Sequence, residues 1–125
     1  MKTLKCMKYL KKSDMLLREA KKDLEMNCYN KAISASWFAI ETILRAVIIF
    51  LGKPMLEKSG ALIGQIQRIF RKKFPQYTSL LPKIHSIYEK RKRADHREVL
   101  FGEKEASSVV KETEIIVSNI KEILK

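Results

Sequence analysis

The chain has little of what interrupts a helix. Of its 125 residues only four are glycine and three are proline, so turns are few and the elements between them are long. Cysteine and histidine are just as scarce, two of each. Cys6, Cys28, His85 and His96 are too scattered for zinc-site spacing, and no metal or cofactor is expected. On a single helix the two cysteines would lie about 33 Å apart, far beyond the roughly 7 Å between Cα atoms that a disulfide spans. Free thiols point to an intracellular, cytoplasmic setting. The longest unbroken apolar run is Ala46–Leu51, well short of the roughly 20 residues that cross a bilayer. No apolar segment follows the charged amino terminus as it would in a signal peptide. A soluble protein with no membrane partner is expected.

What the sequence does have is apolar content and positive charge. Apolar residues make up 46% of the chain, which argues against disorder. Its length is enough for one unstapled core, so residues 1–125 read as a single domain. The net charge is +12, and its distribution is uneven. Residues 68–97 hold ten lysines and arginines against Glu89 and Asp95 alone, whereas the last stretch, 98–125, is net acidic. A basic excess in one segment favours a polyanionic partner, nucleic acid first and an acidic protein surface second.

Hydrophobic periodicity predicts helices throughout. Leu10, Leu17, Ala20 and Leu24 recur at helical steps in a first helix, about Thr3 to Met26, and Asn27–Asn30 break it. A second helix, about Asn30 to Leu51, is apolar on most sides and should be buried on most sides. Glu41 and Arg45 within it are spaced to pair. Gly52 and Pro54 end it. A third helix fits Ser59 to Lys73, with Ser59 as its cap. A fourth starts near Ser79, carries Pro82 in its first turn and frays near His96 or Arg97. A fifth, about Glu103 to Leu124, has the cleanest period. The fold predicted is all-α: an antiparallel up-and-down four-helix bundle with one additional short helix.

Arg91-Lys92-Arg93-Ala94-Asp95-His96 is the stretch richest in chemistry. Arginine grips a phosphate with a planar fork and stays charged; histidine exchanges a proton near neutrality. The two suffice to cut a phosphodiester without a metal. The plain alternative is a solvated basic helix end.

Four stretches together resemble a known family. They are Ala20–Leu24 followed by Tyr29–Ala32, then Ser36-Trp37-Phe38-Ala39-Ile40-Glu41, Lys58-Ser59-Gly60, and Tyr88–His96. In order and spacing they are similar to the HEPN domain (higher eukaryotes and prokaryotes nucleotide-binding), and within it to small stand-alone prokaryotic members. The resemblance implies a helical bundle that dimerises. Many members are metal-independent ribonucleases with an Arg, four to six residues, then His motif, which Arg91 and His96 fill here. Many act as toxins beside a small nucleotidyltransferase antitoxin on a separate chain. The close branch often has Tyr at the position of His96. Some toxins carry a tyrosine two residues after the histidine, which the antitoxin modifies with nucleotide; this chain has Glu98 there.

As a ribonuclease the chain would use the 2′-OH of RNA as nucleophile. His96 would serve as general base or acid, and Arg91 would stabilise charge on the phosphorus oxygens. Five positions along a helix turn about 140° beyond a full circle, so Arg91 and His96 meet only if the helix unwinds or the site spans two chains. Arg93 shares a face with His96 and is the reserve anion binder; Asp95 is placed to orient Arg91. Lys72, Lys73, Lys90, Lys92 and Arg97 are the expected nucleic-acid contacts. His85 reads as a structural or surface histidine. Trp37 and Phe38 read as core rather than base-stacking platforms. The alternative function is a non-catalytic module that binds a nucleotide, nucleic acid or a partner nucleotidyltransferase; a third is a purely structural bundle.

Overall fold

The computed structural model describes residues 2–125. Its helices are α1 (Leu4–Glu25), α2 (Tyr29–Phe50), α3 (Ser59–Lys73), α4 (Leu81–His96) and α5 (Glu103–Ile123). A 3-10 turn, Pro75–Leu80, precedes α4, so the fourth helix starts two residues later than the sequence predicted. Pro82 does lie in its first turn, where a missing N–H leaves no helical bond unmade. Among the described residues there is no strand.

α1, α2, α4 and α5 form the bundle, and α2 is its axis. Twelve of the 22 residues of α2 are buried, as its apolar circumference requires. Ion pairs mark the neighbours' directions: Lys21–Glu114 (3.2 Å) and Lys121–Asp14 (2.6 Å) show α5 running antiparallel to α1. Averaged along its length, α2 is apolar enough to cross a membrane, with a mean hydropathy of 1.7, yet 61% of that window is buried inside the bundle. The count of unbroken runs missed this, because serines, Thr42 and a few charged residues such as Glu41 and Arg45 divide the helix without making it hydrophilic on average.

The α1–α2 seam differs from the leucine stripe predicted. The fully covered residues of α1 are Cys6, Ser13 and Ala20; Leu10, Leu17 and Leu24 lie half-buried beside them. Small side chains let the backbones approach. Ser13 then donates to the Ala39 carbonyl at 2.7 Å and the Cys6 thiol to the Ala46 carbonyl at 3.5 Å. Burial pushes the Cys6 thiol above its usual value, with Lys2 drawing it partly back. Both cysteines are free.

Both turns out of the hairpin helices are left-handed stops. Asn27 (φ 60°) follows α1 and Gly52 (φ 67°) follows α2. Each is followed by an N–H returning to a carbonyl of the helix's last turn: Cys28 to Asp23 at 2.8 Å and Lys53 to Ile48 at 3.1 Å. Ser59 does not cap α3. Lys58 occupies the cap position without a side-chain bond, while the Ser59 hydroxyl donates to the Glu41 carboxylate. A partner on another helix has displaced the local one.

Candidate functional site

α4 carries its apolar stripe, Ile84 and Ile87, against the core. Arg91 lies one turn beyond Ile87, so its side chain follows the stripe inward against α2 and is only 22% exposed. Its guanidinium carbon sits 5.0 Å from the centre of the Phe38 ring, within cation–π range. Its Nε is 2.9 Å from Asp95 Oδ2. That N–H is not aimed at the carboxylate, however, and Nε is buried without a hydrogen bond. The other Asp95 oxygen, Oδ1, accepts from the Ser34 hydroxyl. Arg91 is thus held by charge and by a ring, from two helices. Among the described residues none takes a hydrogen bond from its fork, which keeps its planar edge free for an oxyanion.

Asn30 ties the end of α4 to the start of α2. Its amide nitrogen donates to the carbonyls of Ala94 (3.2 Å) and Val99 (2.8 Å), and its oxygen accepts from the Phe101 N–H (3.0 Å). One side chain therefore satisfies a carbonyl that the helix end leaves open and pins the connection to α5. Arg93 lies over Phe101 at 5.4 Å.

The remaining sequence-predicted residues distribute as follows. His96 is the last residue of α4 and is exposed. The helix does not unwind before it, so Arg91 and His96 point about 140° apart and do not meet within one chain. Arg93, three positions before His96 on the same helix, is placed over Phe101. Lys90 pairs with Glu105 at 3.7 Å; Lys92 pairs with Glu89 at 3.0 Å and lies over Tyr88. Arg97 and Glu98 are exposed in the turn after α4. Lys72 and Lys73 belong elsewhere, in a groove at the end of α3. His85 is a surface residue 3.7 Å from Glu89.

Trp37 and Phe38, adjacent in sequence, part company. Trp37 is fully buried, 5.0 Å from the Tyr88 ring, and donates to Glu41 at 3.2 Å. Phe38 is half-buried, packed against the core and covered by Arg91. Ser34 and Asn30 are site residues that sequence reasoning passed over, and Phe38 is one it weighed only as core against base stacking. Their signal was present: 30, 34 and 38 recur every four residues, a row on one face of α2. That row becomes meaningful only once α4 is laid against it.

Comparison with known proteins adds one finding. The family model described as HEPN domain matches residues 6–123. No curated protein matches the chain.

Proposed function

The chain belongs to the HEPN domain family, matched over nearly its whole length, and on that premise we propose that it is a metal-independent endoribonuclease acting as a dimer. The observation that supports this most is the Arg91 fork, positioned by Phe38 and Asp95 and left without hydrogen-bond partners, five residues before an exposed histidine. Arg45 donates its N–H groups to carbonyls; among the described residues Arg91 is paired with Asp95 by charge alone.

In the proposed reaction the 2′-OH of RNA attacks the adjacent phosphorus. His96 takes the 2′-OH proton and solvent water protonates the departing 5′-oxygen, leaving a 2′,3′-cyclic phosphate. Arg91 stabilises the charge that builds on the non-bridging oxygens. Each chain supplies one motif histidine, and that histidine points away from its own Arg91. The site is therefore composite, with Arg91 of one protomer working with His96 of the other.

Incubating the purified protein with RNA in EDTA tests the activity. His96→Ala should lower cleavage by about 10²–10⁴-fold, the usual weight of general acid–base catalysis. Mixing Arg91→Ala with His96→Ala tests the composite site. Mixed dimers rebuild one intact site of two, so an equal mixture that exchanges freely should regain about a quarter of wild-type rate. If the mixture stays dead, the two residues do not cooperate across chains.

The separation of Arg91 and His96 within the chain favours a second reading, a non-catalytic module that binds nucleotide, nucleic acid or a nucleotidyltransferase. RNA binding without cleavage in the same assay selects it.

A further inference from the structure

A second concentration of cations lies apart from Arg91. The groove between the end of α3 and the loop after α2 has a volume of about 410 Å³, and Lys53, Gln65, Arg68, Lys72 and Lys73 line it. Among the described residues no acidic side chain lines it. Among the described residues none of these four cations is in an ion pair. Lys72 and Lys73 stand in the last turn of α3, where positive charge complements the helix dipole. The dipole does not account for Lys53, which arrives from a different part of the chain.

Gln65 adds an independent observation. Its Nε2 donates to the Pro54 carbonyl at 3.0 Å. That bond fixes the amide's orientation, because the flipped form would set oxygen against oxygen. Its Oε1 is left buried with no hydrogen-bond partner. The groove thus offers several cations, and behind them a buried acceptor that a ligand reaches once the Gln65 side chain turns outward. A fully ionised inorganic anion answers only the cations. A ribonucleotide answers both, with phosphate oxygens for the lysines and a 2′-OH donor for Gln65.

We propose that this groove binds the ribose–phosphate backbone of single-stranded RNA. Its role as a substrate anchor rests on the nuclease reading above; binding itself does not.

The test is fluorescence anisotropy with labelled single strands about 12 nucleotides long, within the range such sites cover. His96→Ala protein in EDTA serves as the background, with RNA and DNA of one sequence compared over a salt series. Replacing Lys53, Lys72 and Lys73 by alanine should weaken RNA binding roughly tenfold or more. It should also lower the salt slope by about 2, at about 0.7 per phosphate contact on a single strand. Gln65→Leu should narrow the preference for RNA over DNA and leave DNA affinity unchanged. Circular dichroism confirms that these surface variants fold. An unchanged affinity and slope in the triple variant overturns the groove. Equal effects of Gln65→Leu on RNA and DNA overturn the ribose contact. Groove-dependent binding by a wild-type protein that never cleaves RNA sinks the nuclease reading and keeps the groove. Cleavage with groove-independent binding does the reverse.

Discussion

Two arginines of this protein pair with a carboxylate four positions away, and the pairs have opposite fates. Glu41 and Arg45 lie on α2, 3.5 Å apart and each 14% exposed. Arg45 donates to the carbonyls of Leu56 (2.8 Å) and Glu57 (2.7 Å), while Glu41 accepts from Trp37 and Ser59. That network is closed, and it straps the loop after α2 onto the helix. Arg91 and Asp95 lie on α4 at the same spacing. There the carboxylate is held by Ser34, but the guanidinium rests on a ring and, among the described residues, gives no hydrogen bond. Spacing alone does not separate the two. What the N–H groups donate to does: a fork closed on carbonyls builds structure, and a positioned fork left open is equipped to take a ligand.

The comparison breaks most readily at the two arginines. Arg91→Lys keeps the charge and loses the fork. RNA cleavage should fall about 10²–10³-fold, the scale of one lost oxyanion donor, with the melting temperature unmoved. Arg45→Ala should do the opposite. It leaves a mostly buried Glu41 unpaired and two carbonyls without their donor, and should cost roughly 2–4 kcal/mol in chemical denaturation, with activity per folded molecule retained. A stability loss at 91 or an activity loss at 45 would invert the assignment.

Smaller effects sharpen it. Asn30→Ala removes three hydrogen bonds and should cost about 1–3 kcal/mol, visible as faster amide exchange at Phe101 with little change in α1. Phe38→Leu keeps the packing volume but removes the ring beneath Arg91. It should weaken transition-state binding by about 0.5–1 kcal/mol, a few-fold loss in kcat/KM. A null result there would mean that Asp95 alone positions the fork.

The contrast also marks how far the sequence could be read. α5 and α2 announced themselves by periodicity, and the overall fold followed from them. The closing face of α1 did not, because Ser13 carries no hydrophobic signal and a lone Cys6 only a small one; they matter for being small enough to bring backbones together. Ser59 looked like a cap because its neighbours in sequence allowed one, yet Glu41, 18 residues upstream, took its hydroxyl. Around the site, Asp95 could be placed beside Arg91 by counting along one helix. Ser34, Phe38 and Asn30 could not, since they lie some sixty residues upstream and reach α4 only through the packing of two helices.

The cysteine, serine and alanine of α1 have one more consequence, for alignment. They recur every seven positions, which keeps them facing α2 along the whole hairpin. Sliding α1 by one turn would put Leu10, Leu17 and Leu24 in their places. Those branched side chains would hold the helices apart, and neither the Ser13 nor the Cys6 bond would form. The hairpin can therefore close in only one phase, and that phase decides which residues α1 and α2 present to every helix that docks on them.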